Sequence, residues 1–159
     1  MKVEVLGPAH ARGGFRAGVS GLDRYFRHQA GRDAARRLAA VFVVVLPDGG
    51  VGGYYTLAPA TVLLPDLLGG AERKASRYPP MAAARLSRLV VDERQRGQGV
   101  ARVMLADALH RVWRSTLDAV ALIVDAPDAQ ARAFYLRSGF LPFPDREDRL
   151  FRPMADLPL

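Results

Sequence analysis

The stretch "LVVDERQRGQGVARVML", Leu89 to Leu105, decides how this chain folds and what it can hold. An apolar run stops at Asp92. Arg94, Arg96, Gly97 and Gly99 follow, and an Ala-rich helical pattern begins at once. A strand that turns into a helix through glycines is a phosphate site in outline. The first helical turn has N–H groups without intrahelical partners, and its dipole favours an anion. Glycine lets the backbone approach phosphate oxygens with no Cβ in the way. Arg94 and Arg96 add positive charge. The turn is no Walker loop, because no Gly-Lys-Ser/Thr follows. It is no dinucleotide fingerprint either, since Arg102 stands where the third glycine belongs. Taken alone, a Gly-x-Gly also reads as an ordinary turn.

Around this stretch the chain reads as a single mixed α/β layer, in the order β-α-β-β-β-α-β-α-β-β. "VEVL" is a strand. "SGLDRYFRHQA" is a helix, with Ser20 as N-cap, Asp23 three residues on, and Leu22 and Phe26 on one face. "LAAVFVVVLP" is a buried strand closed by the turn "PDGG". "VGGYYTLAPATVLL" is a long strand bent at Pro59, which cannot donate to a central ladder. "PDLLGGAERKASRYPP" is loop with one short helical turn. "ARLSRLVV" is the next strand. Gln98 to Ser115 is a helix whose stripe is Ala101, Leu105, Ala108 and Val112. "AVALIVDA" is a strand buried on both faces. "PDAQARAFYLRSG" is a helix capped by Asp128 and stopped by Gly139. "FLPF" and "RLFRPM" are the last strands.

With 159 residues, one domain over 1–159 is the expectation, large enough for a real core. Cysteine is absent and there are three scattered histidines, so disulfides, thiol nucleophiles and a zinc site are not expected. No apolar run approaches the roughly 18 residues of a membrane span. The start "MKVEVLGPAHARGG" lacks the apolar middle of a signal peptide, so a cytoplasmic protein is expected. The net charge is +7, almost all of it arginine. A genome rich in G and C would inflate Arg, Ala, Gly and Pro together. Whatever its origin, such a surface attracts phosphates.

The form Arg94-Gln95-Arg96-Gly97-Gln98-Gly99 fits Arg/Gln-x-x-Gly-x-Gly/Ala, between an apolar strand and a long helix. It resembles the acetyl-coenzyme A (acetyl-CoA) pyrophosphate loop of the GNAT N-acetyltransferases. "AFYLRSGF", Ala133 to Phe140, resembles the later helix of that family, whose tyrosine faces the cofactor sulfur. The resemblance implies the GNAT fold, a mostly antiparallel central sheet flanked by helices. It implies acetyl-CoA as co-substrate, held by Leu89, Val90, Val91, Arg94, Arg96, Gly97, Gln98, Gly99, Val100 and Ala101. Together "GLDRYFRHQA", "VFVVV", "VGGYYTLAPATV", "SRLVVDERQRGQGVA" and "ARAFYLRSGF" resemble one branch, from about Gly18 to Met154. That branch comprises the toxins of bacterial toxin–antitoxin pairs that acetylate aminoacyl-tRNA. It implies charged tRNA as acceptor and a ribbon-helix-helix antitoxin, whose acidic or amphipathic tail would suit a basic surface. It also implies a homodimer.

The residues bear differently on the chemistry. On position alone Tyr135 is either a core tyrosine beside Phe134 and Phe140 or a proton donor to the departing thiolate; the resemblance favours the donor. The amides of Leu89 to Val91 are the family-like donors to the thioester oxygen. They would need the strand to splay from its neighbour, which would also let pantetheine pair there. A general base is not evident, and Asp125 is the one carboxylate to test, with a turn or capping role the plainer reading. That suits an α-amine: it titrates near 7.7–8.0, against about 10.4 for a lysine ε-amine, and so is partly neutral already. A peptide N-terminus fits as well as aminoacyl-tRNA. For tRNA, Arg24, Arg27, Arg36, Arg37, Arg85 and Arg88 are the candidate phosphate contacts, unless they form a solvated helical face. Tyr54, Tyr55 and Tyr78 could stack on terminal nucleotides, although Tyr54 and Tyr55 should split, one inward and one outward. Two other readings stand beside the toxin: a GNAT acting on a small-molecule or protein N-terminal amine, and a module that binds acyl-CoA or nucleic acid without turnover.

Overall fold

The computed structural model describes residues 1–69 and 78–155. Its strands are β1 (Lys2–Val5), β2 (Ala40–Val45), β3 (Val51–Val62), β4 (Met81–Val91), β5 (Ala121–Asp125), β6 (Leu141–Phe143) and β7 (Arg146–Pro153). Its helices are α1 (Ser20–His28), α2 (Ala30–Ala35), α3 (Leu64–Leu68), α4 (Val100–Trp113) and α5 (Ala129–Arg137). One seven-stranded sheet runs β1-β2-β3-β4-β5-β7-β6. The ladders β1–β2, β2–β3, β5–β7 and β6–β7 are antiparallel and β4–β5 is parallel, so the sheet is mixed and mostly antiparallel, as the sequence reading expects. Two short helices, α2 and α3, are additional to the expected order. Part of "PDLLGGAERKASRYPP" lies outside the described residues; its opening forms α3, with Pro65 in the first turn where its missing N–H costs nothing.

The chain divides into two compact units. The first comprises residues 1–58 and 87–108. Its core is aromatic: the Phe26 ring stacks on Tyr54 at 4.4 Å, and Phe15 meets Phe26 edge-on at 4.9 Å. Val41, Val43 and Val90 complete it. Neighbouring residues on β3 face opposite sides of the sheet. Tyr54 points to this core, its hydroxyl donating to the Leu22 carbonyl at 2.8 Å. Tyr55 points to the other face, stacked on Phe42 at 4.9 Å, with its hydroxyl donating to Asp107 of α4. Both are fully buried, so neither reaches solvent. The expectation of one outward tyrosine fails because β3 is covered on both faces. Gly53 explains how α4 comes so close: a Cβ there would meet the Val90 carbonyl oxygen at 2.9 Å and Val100 and Met104 at 3.0 Å.

Helix α1 starts differently from the expectation. Its N-cap is Val19 and Ser20 lies inside the first turn. Asp23 is buried with its carboxylate turned to the Ala17 amide at 2.7 Å, where it serves the preceding loop instead of a capping box. A left-handed Arg37, φ 59°, follows α2. Of the expected stripe of α4, Leu105, Ala108 and Val112 are buried and Ala101 is half-buried, and Val100 and Met104 join them.

The second unit comprises residues 59–86 and 109–159. Val62, Leu67, Ala83, Ala121, Ile123, Phe143 and Phe151 form its core. β5 is buried along most of its length, as its near-continuous apolar run requires. Asp128 caps α5, accepting the Ala131 amide at 2.8 Å, and Gly139 follows it at φ 90°. Both are the residues expected to start and stop it.

Candidate active site

The glycine turn sits in the first unit. Gly97 and Gly99 have φ of 76° and 81°, and nothing among the described residues lies within 4 Å of a Cβ built on either. Glycine is needed there for backbone conformation, and the space above the turn is open. Arg96 to Gly99 are exposed, and Val100 opens α4 beneath them. The amides of the first turn of α4 therefore face an open cradle with a helix dipole behind it, which is what an anion needs.

Asp92 organises the turn. It is 1% exposed, and its carboxylate accepts four hydrogen bonds: the Arg94 amide and Nε, each at 2.9 Å, the second Arg94 guanidinium nitrogen at 2.9 Å, and the Arg16 amide at 3.1 Å. The Arg94 side chain outweighs the burial, and the Asp92 carboxyl is held down at about 2. Arg94 reaches on to the Gly14 carbonyl at 3.0 Å, and Arg96 to the Ala17 carbonyl at 2.7 Å. The Glu93 amide donates to the Arg16 carbonyl at 2.8 Å. The two arginines expected to supply charge to a phosphate thus also lash residues 14–17 to the turn. Arg27 pulls on the same segment from α1, donating to the Phe15 carbonyl at 2.7 Å. Arg27, a candidate phosphate contact on the sequence, is turned inward, with a buried Nε that has no partner among the described residues.

The edge of β4 supplies a second feature. Its ladder with β5 covers Ala84–Leu86 against Leu122–Val124, while β4 runs on to Val91. The Asp92 amide donates to Gly52 of β3 at 2.9 Å. Backbone groups alternate between the two edges of a strand, so Val90 shares that edge with Asp92, and the amides of Leu89 and Val91 turn to the opposite one.

In the second unit Tyr135 is 6% exposed and packs on Phe134 and Phe140, each at 5.3 Å between centroids. Its hydroxyl has no hydrogen-bond partner among the described residues. Burial pushes the phenol up to about 12. Asp125 lies between Arg85 and Arg149, with Arg149 Nε at 2.8 Å. Burial would raise its carboxyl, but the Arg149 hydrogen bond and charge, followed by Arg85, outweigh it and hold the carboxyl below its ordinary value. Arg85 is thereby committed to Asp125.

Arg24, Arg36 and Arg37 are exposed, and Arg88 lies over the Tyr25 ring at 3.6 Å. Tyr78 is 62% exposed. Among the described residues no group of His, Cys, Asp or Glu is placed to hold a metal, and no helix is long and apolar enough to cross a membrane.

The acetyltransferase (GNAT) domain family matches residues 69–149, half of the chain. A tRNA-acetylating toxin of Mycobacterium tuberculosis is 33% identical over 128 residues, spanning 79% of this chain and 75% of that protein. The chain belongs to the GNAT acetyltransferases. It is accordingly an acetyl-CoA-dependent N-acetyltransferase. Among solved structures, AtaT complexed with acetyl-methionyl-tRNAfMet superposes with a TM-score of 0.85 at 25% identity, covering 96% of this chain and 94% of that one. A tyrosine-to-phenylalanine mutant of AtaT, bound to the C-terminus of the antitoxin AtaR and acetyl-CoA, gives 0.78 at 24% identity, with 96% and 92% covered. The latter likeness is one of fold.

Proposed function

We propose that this GNAT enzyme, a single domain over residues 1–159, acetylates the α-amino group of aminoacyl-tRNA in the cytoplasm and so blocks translation as a toxin. The observation that carries the acceptor is the 33% identity to a tRNA-acetylating toxin over most of both chains. The likeness to tRNA-bound AtaT supports it. The exposed arginines of α1 and α2 and the absence of a free carboxylate base at Asp125 agree with it.

In this reading Gly97, Gln98, Gly99, Val100 and Ala101 present backbone amides to the pyrophosphate of acetyl-CoA. Arg94 and Arg96 hold the turn in shape and keep an exposed positive surface beside it. Leu89 and Val91 offer amides to the pantetheine arm and to the thioester oxygen, where donors are worth most as charge builds. The α-amine, already partly neutral at pH 7, attacks the thioester carbon. The carbon–sulfur bond then breaks and the sulfur needs a proton. Tyr135 keeps its phenolic proton at neutral pH. Outright transfer to a thiolate is uphill by roughly 3 pK units, since a thiol titrates near 8.5. Tyr135 therefore acts as a relay: it gives its proton to the sulfur and takes one from the nitrogen, which becomes acidic once bonded to carbon. The product amide and the free thiol balance the step, and no metal enters it.

A ribbon-helix-helix antitoxin is the partner this reading implies, with a tail complementary to the basic face. The test incubates the protein and labelled acetyl-CoA with charged tRNA, uncharged tRNA and a lysine-rich peptide. Label on charged tRNA alone supports the reading. Label on the peptide, or on neither RNA while acetyl-CoA still binds, removes tRNA and leaves an N-acetyltransferase of another amine.

A further inference from the structure

On the α1 side of the first unit lies a depression of about 450 Å³, lined by Leu22, Arg24, Tyr25, His28, Arg32 and Arg88, among others. Arg88 at its wall differs from many of the described arginines. Arg85, Arg94, Arg146 and Arg149 are paired with carboxylates, and Arg27 and Arg96 are spent on backbone carbonyls. The Arg88 guanidinium carbon instead lies 3.6 Å over the ring of Tyr25. Its N–H groups have no partner among the described residues. The ring beneath is itself fixed: Tyr25 is 6% exposed, and its hydroxyl donates to Asp33 at 3.0 Å. Desolvation first, and then that bond, raise the phenol to about 12, so the hydroxyl stays a donor and the platform stays neutral. A guanidinium held over a ring with its N–H groups free is set for bidentate recognition of an oxyanion.

The rim adds to this. Arg24 has no ion-pair partner among the described residues, and Arg32 donates to the His28 carbonyl at 2.9 Å while keeping its charge. Of the two carboxylates on these helices, Asp33 faces the Tyr25 hydroxyl and Asp23 is turned to the Ala17 amide. Three guanidiniums against two carboxylates, both engaged elsewhere, leave a cationic concavity. Arg88 also directly precedes Leu89, whose amide lies on the free edge of β4. Arg88 and Leu89 are neighbours on one strand, so the side chain that would hold an anion and the amide that would face the thioester oxygen leave adjacent residues.

We propose that Arg88, stacked on Tyr25 and flanked by Arg24 and Arg32, is a phosphate subsite that holds the phosphodiester next to the acceptor's reacting end. This deepens the tRNA reading and rests on it for its natural ligand. Acetyl-CoA carries the same chemistry, so the test separates the two sources.

Arg88→Met keeps an apolar stem on Tyr25 and removes the donors. Circular dichroism first checks that it folds. Acetyl-CoA affinity is then measured by calorimetry. Steady-state constants are measured for aminoacyl-tRNA and for an aminoacyl ethyl ester, which has no phosphate. The expected result is a KM for aminoacyl-tRNA raised about tenfold or more, in line with the loss of charge-assisted bonds. Acetyl-CoA affinity and kcat/KM for the ester stay within about twofold. Arg88→Lys recovers only part of the loss, because an ammonium cannot stack and fork together. Equal losses on tRNA and ester overturn the subsite and make Arg88 a scaffold residue. Lost acetyl-CoA affinity overturns its assignment to the acceptor. If the wild type acetylates neither acceptor, the tRNA reading falls, yet the subsite is still decided by titrating the RNA trinucleotide CCA. Binding lost in Arg88→Met keeps it, and unchanged binding sinks it.

Discussion

The glycine turn and the helix that carries Tyr135 are held by opposite means. The turn is held by charge: a buried carboxylate, two arginines and backbone groups from residues 14–17. Helix α5 is held by caps at its ends and by rings near its C-terminal end, and the Tyr135 hydroxyl has no partner among the described residues. Removing a polar atom from the turn should therefore cost structure. Removing one from Tyr135 should cost only chemistry.

Tyr135→Phe is the sharpest way to break that contrast, and it carries the largest expected effect. The rings at 5.3 Å remain, so the melting temperature should stay within about 2 °C. Acetyl-CoA should bind with unchanged affinity. The rate of acetyl transfer should fall by about 10²-fold or more, the usual worth of a positioned proton donor. A folded variant with near-normal kcat would take Tyr135 out of the mechanism and return it to the core.

Asp92→Asn tests the other side. An amide cannot accept all four bonds in the same geometry, and the Arg94 charge loses its partner. A loss on the order of 2 kcal/mol is expected from bonds to a charged group. The same carboxylate sets an acid limit. Its folded value, about 2, lies below the ordinary 3.8, so its stabilisation is complete above about pH 4. It drains away as pH falls through the folded value. Urea melts of the wild type should lose this contribution between about pH 4 and 2, and Asp92→Asn should lack that step. Equal slopes in both proteins would mean that other carboxylates carry the acid sensitivity.

The contrast also marks what could be read in the sequence. The turn, its glycines and the helix behind it are local, and their spacing carries them. The caps of α5 are local too, and Asp128 and Gly139 stand where expected. Asp92 was visible only as the point where an apolar run stops. Its role depends on Arg16, 76 residues away, and the carbonyls that Arg94 and Arg96 hold are 80 and 79 residues away. No window of sequence contains both ends of such bonds. Tyr54 and Tyr55 fail for a related reason. Alternation says they face opposite ways, but not that helices cover both faces. Arg27 looks like its neighbours in composition and is told apart only by the carbonyl it meets.

Gly99→Ala should have a smaller effect than either. No atom of the described residues obstructs the new Cβ, so the cost is that of a left-handed alanine at φ 81°, about 1–2 kcal/mol. Most of it should appear as weaker acetyl-CoA binding, because the strained turn relaxes away from the conformation that aims its amides. Calorimetry with acetyl-CoA and a thermal melt of the free protein separate the two. A drop in melting temperature with unchanged affinity would show that the turn's shape serves folding more than the cofactor.

Asp125→Asn closes the series with the least effect on rate. A general base must be free to take a proton, and Asp125 is not. Arg149 and Arg85 occupy both of its oxygens and hold its carboxyl below the ordinary range, where it is a weak base at neutral pH. Asparagine keeps one acceptor oxygen and frees charge on two arginines. The pH dependence of kcat/KM should be unchanged, and its magnitude should stay within about threefold. The ascending limb of that profile should follow the acceptor's own α-amine, near 7.7–8.0. A limb that vanishes in Asp125→Asn would put a base back on the enzyme. It would also remove the reason for expecting an acceptor whose amine needs little help.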